Sequence, residues 1–427
     1  MSRRARWIAA GTAMVLTVAA GLLWPRHDEG PAPGAAFAAL PAAGKIARGA
    51  YLARAADCMA CHTARGGAQY AGGRELQTPF GAIVSPNITQ DPDTGIGRWS
   101  AQDFWNALHN GRARGGRLLY PAFPYTNYTA ITRDDADALY AYFRTVPAVR
   151  RENGPHRLRF PYDTQAALAV WRALYFRPGV YEERHDRPAQ WNRGAYLVEG
   201  AGHCSACHSA RNALGGSGGN LSGGLVPVLG WYAPSLTSDG EAGLGNWQVE
   251  EIAQLLHTGV SPRATVFGPM AEVVGESLQY LSADDVRAMA VYLKSLPASA
   301  SGATPHERST APEAVAFLQA GARLYDKHCA ECHGAGGNGA PPHYPPLAGN
   351  RSLTMPDSTN AIRIVLNGGF PPGTRGNPRP YGMPPFSQAL DDGEVAQVVS
   401  YLRSAWGNNA PPVSSLDVNR YRAVPLD

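Results

Sequence analysis

Cys58-Met59-Ala60-Cys61-His62, Cys204-Ser205-Ala206-Cys207-His208 and Cys329-Ala330-Glu331-Cys332-His333 account for all six cysteines of this 427-residue chain. In each pentad two thiols stand three positions apart, and a histidine follows the second at once. That spacing is the attachment signature of haem c, in which the thiols add across two porphyrin vinyl groups and the adjacent imidazole becomes the proximal iron ligand. Two other chemistries use Cys-x-x-Cys. A redox dithiol does not require the histidine, and a tetrahedral zinc site needs two pairs close together; here the pentads are well over 100 residues apart. The pattern points to three covalently bound haem c groups, held by Cys58, Cys61, Cys204, Cys207, Cys329 and Cys332, with His62, His208 and His333 as proximal iron ligands.

Haem c is fitted outside the cytoplasmic membrane, so such a chain must be exported, and its N-terminus has the corresponding pattern. Arg3, Arg4 and Arg6 form a basic start, an uncharged and mostly apolar run follows from Trp7 to Trp24, and Pro25-Arg26-His27-Asp28 closes it. Cleavage after Ala20 fits. The run of about 18 residues also reaches the lower limit for a spanning helix, so residues 1–24 read equally as a signal peptide or an N-terminal anchor. The expected location is the periplasmic side of a bacterial cytoplasmic membrane. The formal charge of +4 owes three of its units to those first arginines, which leaves the rest nearly neutral and gives nucleic-acid binding no support.

Around each pentad the same unit recurs. It opens with a helix-like stretch, Arg48-Gly49-Ala50-Tyr51-Leu52, Arg193-Gly194-Ala195-Tyr196-Leu197 or Ala320-Gly321-Ala322-Arg323-Leu324-Tyr325. It closes with an amphipathic helix whose first turn is acidic, around Asp134 to Phe143, Asp284 to Leu293 and Glu394 to Leu402. Acids suit the positive end of a helix, and the apolar residues recur at helical spacing. Between the two lie a Gly/Pro-rich loop and a middle helix, Trp99 to Gly111, Trp247 to Gly259 and Asn360 to Gly368. The unit resembles the class I cytochrome c fold, which predicts an all-α chain of three tandem domains at residues 40–147, 191–297 and 313–407. Residues 148–190 form a structured connector, 298–312 a small, polar linker and 408–427 a C-terminal tail. Gly 48 and Pro 35 look loop-heavy for helices, but haem supplies core that the chain does not.

The sixth iron ligand divides the modules. A methionine thioether is usual in an electron carrier, and only seven methionines are present. Met1 and Met14 belong to the leader, Met59 lies inside a pentad and Met289 in a closing helix. Met383, in Tyr381-Gly382-Met383-Pro384-Pro385-Phe386, suits the third module, with Met355 as the fallback. Met270, in Phe267-Gly268-Pro269-Met270-Ala271-Glu272, holds the equivalent position in the second. The first module reads Leu119-Tyr120-Pro121-Ala122-Phe123-Pro124-Tyr125, and phenylalanine cannot ligate iron. His109, Tyr120, Tyr125, water or another subunit could serve, but His109 aligns with His257 of a module that has its methionine, so an open or weakly ligated iron is the expectation. Arg65 and Arg211, just after their pentads, could meet haem propionates, but surface solvation is the safer reading for them, and the remaining histidines read as surface groups. The Asn-x-Ser/Thr patterns at Asn87, Asn127 and Asn220 are frequent by chance.

These residues, with Trp191-Asn192-Arg193-Gly194-Ala195-Tyr196-Leu197 and Tyr401-Leu402-Arg403-Ser404-Ala405-Trp406-Gly407, resemble the triple-haem cytochrome c subunit of membrane-bound bacterial dehydrogenases, both the quinoprotein alcohol type and the flavin-dependent gluconate, sorbitol and fructose types. In that family the first-module loop carries methionine where Phe123 stands. The resemblance implies a non-catalytic subunit that passes electrons from a periplasmic dehydrogenase catalytic subunit to membrane ubiquinone or a downstream oxidase. A similar branch serves molybdenum hydroxylases, and an open first haem would allow small-ligand or peroxide chemistry. No catalytic constellation or nucleotide loop accompanies the haem motifs.

Overall fold

The computed structural model describes residues 30–240, 242–299, 307 and 309–424. The leader segment 1–24 and most of the linker 298–312 lie outside these residues. No helix among the described residues is long and apolar enough to cross a membrane.

The chain is largely helical. Its principal helices are α1 (Ala42–Ala55), α2 (Ala101–Asn110), α3 (Arg133–Phe143), α4 (Gln165–Tyr175), α5 (Ala189–Ala195), α6 (Val249–Thr258), α7 (Ala283–Ser295), α8 (Pro312–His328), α9 (Thr359–Asn367), α10 (Asp392–Ser404) and α11 (Ser415–Arg422). The expectation of an all-α chain needs one correction. Two small antiparallel sheets follow the first and second pentads: β1 (Glu75–Thr78) pairs with β2 (Gly81–Val84) and β2 with β3 (Arg157–Leu158), while β4 (Gly224–Val226) pairs with β5 (Trp231–Ala233). These strands are two to four residues long, too short to leave a period-2 pattern that could be read from sequence.

Three opening-closing helix pairs, α1 with α3, α5 with α7 and α8 with α10, cross by the same device. A Cβ added to Gly49 would lie 1.9 Å from the Ala138 carbonyl oxygen; at Gly194 the distance to the Ala288 oxygen is 2.0 Å, and at Gly321 that to the Gln397 oxygen is 2.1 Å. Only hydrogen fits between these backbones. The closing helices start alike, because Thr132, Ser282 and Asp391 cap them by accepting from the backbone N–H three residues on, at Asp135, Asp285 and Glu394. In two pairs the capped acid also reaches across the crossing: Arg48 donates to Asp135, and Arg193 holds Asp285 bidentately at 2.8 and 2.7 Å. The third pair has Ala320 in place of the arginine and buries Tyr325 completely instead, its ring 5.0 Å from Trp406 and 5.7 Å from Tyr401.

By contact density the chain falls into two units. The first comprises residues up to 53, 61–182 and 212–217; the second comprises 54–60, 183–211 and 218–427. In the first unit, connector helix α4 packs on the loop that follows α2. Leu118, Leu168 and Ala169 form a buried cluster with Tyr120 against it, Gln165 bonds both backbone groups of Leu118, and Trp171 donates to the Leu214 carbonyl at 2.9 Å. The second unit holds two of the helix pairs. Its core includes Val395, Val399, Ile362 and Leu366, and α11 covers it with Val418, which has no exposed surface. Arg403, 1% exposed, ties this end together by donating to the Pro356 and Pro411 carbonyls.

Candidate haem sites

Each pentad lies just after its opening helix. Cys58–His62 and Ala330–His333 are short helices, and Cys204–Ala206 is a single tight turn reached through a wide helical turn at Tyr196–Ala201. No disulfide joins any of the six thiols. Burial, reinforced by Cys207, pushes the Cys204 thiol up to about 12, and burial with Cys332 pushes Cys329 up to about 11. A redox dithiol needs the opposite shift, toward thiolate at neutral pH. A tetrahedral zinc site needs four converging ligands, and among the described residues no three His, Cys, Asp or Glu side chains converge in that way.

The three pentad histidines share an arrangement that sequence reasoning did not single out. His62 bonds the Pro86 carbonyl through Nδ1 at 2.8 Å, His208 the Pro234 carbonyl at 2.7 Å and His333 the Pro345 carbonyl at 3.0 Å. A carbonyl can only accept, so each Nδ1 carries the proton and each Nε2 keeps its lone pair for a metal. Burial holds all three imidazoles below their ordinary range, His208 down to about 4, so that the neutral form needed for ligation prevails. The carbonyls belong to Ser85-Pro86-Asn87, Ala233-Pro234-Ser235 and Tyr344-Pro345-Pro346, and the recurring proline was the available signal. Two thiols beside an Nε2-presenting imidazole are the donor set that covalent haem requires, so the residues present fit the group.

The distal candidates sit as follows. Met270 is half-buried in the first turn of a helix at Pro269–Glu276. Met383 is half-buried on a loop held by paired backbone bonds to Gly369, and it packs against the core of α9 and α10. Met355 and Met289 are 1% and 2% exposed within the protein core. In the first module Phe123 is half-buried with its ring 5.3 Å from Tyr128. Tyr125 has no exposed surface and lies under Phe176 and the Arg172 guanidinium, and Tyr120 packs edge-on against His156. His109 stacks on Trp105 at 4.4 Å and bonds the Thr129 carbonyl at 2.8 Å. All three rings are packed against neighbouring side chains. Arg65 is exposed, and Arg211 turns back to the Ala206 carbonyl. Asn87 is 2% exposed and bonded to Thr94 and Val149, which rules it out as a glycosylation site.

Comparison with known proteins agrees with this chemistry. The cytochrome c family model matches residues 46–147 and 318–406. The cytochrome c subunit of the quinone alcohol dehydrogenase of Gluconobacter oxydans (strain 621H) is 41% identical over 89% of this chain and 82% of its own length. This chain belongs to the family of dehydrogenase cytochrome c subunits. The gluconate 2-dehydrogenase cytochrome c subunit of Pantoea cypripedii is 40% identical over 88% of this cytochrome and 89% of its own length. A nicotinate dehydrogenase subunit of Pseudomonas putida is 39% identical over 96% of it, but only 34% of that longer protein is covered. Membership implies covalently bound haem c, electron transfer and a dehydrogenase catalytic partner for this cytochrome.

Proposed function

We propose that this subunit carries three haem c groups in three tandem cytochrome domains, on the periplasmic side of the cytoplasmic membrane, and passes electrons from a dehydrogenase catalytic subunit to ubiquinone or a downstream acceptor. The observation that carries this reading is the threefold recurrence of unbridged thiol pair, Nδ1-tethered histidine and glycine helix crossing. When bound, haem c supplies an iron that exchanges one electron between ferric and ferrous states. The protein side is then assigned. Cys58 and Cys61, Cys204 and Cys207, and Cys329 and Cys332 anchor the groups, and His62, His208 and His333 hold the irons. Met270 and Met383 close two of them. The core burial of Met355 and Met289 supports that choice, and the packing of His109, Tyr120 and Tyr125 supports an open first iron beside Phe123. The basic and apolar segment 1–24 supports export. Pyridine haemochrome assay against protein mass tests the stoichiometry. Three haems per chain are expected, and fewer would sink the proposal.

Two further readings each have one observation in their favour. The nicotinate dehydrogenase relative favours a partner that oxidises an N-heterocycle, the chemistry expected of the molybdenum hydroxylase branch; metal and cofactor analysis of the complex purified from its native membrane decides between molybdenum, quinone and flavin. Phe123 favours small-ligand chemistry at the first haem. That reading fails if the reduced protein binds no CO and the ferric protein shows no high-spin signal.

A further inference from the structure

Within the second unit the third module is seated on the second through neutral hydrogen bonds and two arginines. Tyr232 and Asn360 exchange two hydrogen bonds, Asn360 donating at 2.7 Å and accepting at 2.9 Å. Thr374 donates to the Thr258 carbonyl at 2.9 Å, and the fully buried Arg363 places its guanidinium over Trp231 at 4.7 Å. The contact that bears on a haem site is made by Arg351, at the first position of the short helix Arg351–Thr354. Its Nη1 donates to the Ser235 carbonyl at 3.3 Å, and its guanidinium lies over the Trp247 ring at 5.2 Å. Ser235 directly follows Pro234, whose carbonyl tethers His208. An arginine of the third module therefore grips the segment that orients the proximal histidine of the second.

We infer that Arg351 is a positioning residue for the second haem, which steadies the Pro234-Ser235 segment behind His208 and raises that haem's reduction potential by its fixed positive charge. The inference rests on His208 being a proximal ligand. Its physical basis is electrostatic. A permanent cation beside a metal site disfavours the more positive ferric state, and in a half-buried setting its field is poorly screened by water. Burial lowers the guanidinium only to about 10, so it stays charged at neutral pH. The charge is contributed by the neighbouring module, so the second haem's potential depends on the third module being docked. A position over the Trp247 ring together with a bond to the Ser235 carbonyl suits a guanidinium better than an ammonium, which gives arginine rather than lysine a reason to be there.

Spectroelectrochemical titration of the full-length holoprotein tests this with Arg351→Gln, Arg351→Met and Arg351→Lys. Glutamine and methionine remove the charge by different chemistries, so an assembly failure of one leaves the other to be read. Met270→His, which changes the distal ligand of the second haem alone, identifies the wave that belongs to it. The uncharged variants are expected to shift that wave to more negative potential and leave the other two in place, while the lysine variant keeps most of the wild-type value. The inference is overturned if the uncharged variants leave every wave unmoved, if lysine shifts the wave as far as glutamine does, or if all three waves move together. Haem content measured on the same samples separates the two levels of the argument. A wild-type value below three haems defeats the three-haem reading, whereas three haems with unmoved potentials defeat only the role of Arg351.

Discussion

At the scale of single residues, the distal ligands proposed above are what make the three sites differ. Replacing Phe123 by methionine puts a thioether into the half-buried loop position that phenylalanine now fills; the first haem is then expected to lose its ferric high-spin signal and its CO binding, and its potential to rise. Met270→Ala and Met383→Ala should do the reverse, each giving one additional CO-binding haem with a lower potential, measured by titration of the reduced protein. The pentad histidines were legible in the sequence because attachment chemistry dictates their spacing. Their carbonyl partners were not read, because Pro86, Pro234 and Pro345 lie 24, 26 and 12 residues downstream and the accepting group is backbone, so the recurring proline was the one signal and its spacing from the pentad varies.

At the scale of elements, the crossings matter most. Gly49, Gly194 and Gly321 stood in the repeated opening motif, yet their role appears only where the partner helix brings a carbonyl oxygen within 1.9–2.1 Å of the missing Cβ. Alanine at any of them must push two helices apart, and overpacking of that kind costs about 1–3 kcal/mol, more where backbone is the obstacle. Thermal unfolding of the holoprotein should show the loss as a lower Tm for G49A, G194A and G321A. The ion pair at two crossings yields a smaller prediction. Arg193→Gln strips the largely buried Asp285 of its bidentate partner and should cost about 1 kcal/mol, since the arginine side is a third exposed. Helix identity was readable from periodicity and acidic first turns, while the caps at Thr132, Ser282 and Asp391 add one or two residues to each start. The short strands escaped because pairing between segments, not local pattern, creates them.

At the scale of the whole molecule, the segment read as a tail is part of a core. Val413 and Val418 are 4% and 0% exposed, Tyr421 bonds Thr359 at 2.7 Å, and Arg422 reaches Asp392 and the Ser387 and Leu390 carbonyls. Ending the chain after Gly407 removes both valines from the core, a loss of roughly 3 kcal/mol at 1.5 kcal/mol or more for each. It should lower the Tm and the occupancy of the third haem, read as haem per chain. The sequence alone determined the haem-attachment chemistry and the helical pattern around the pentads, because covalent attachment and amphipathic burial act through fixed local spacings. Only the tertiary structure decided which nitrogen of each pentad histidine is tied to a backbone carbonyl, where the helices touch through glycine, and that Arg351 lies on the segment behind His208. Those depend on backbone groups and side chains far apart in the chain, and no spacing rule connects them until packing has brought them together.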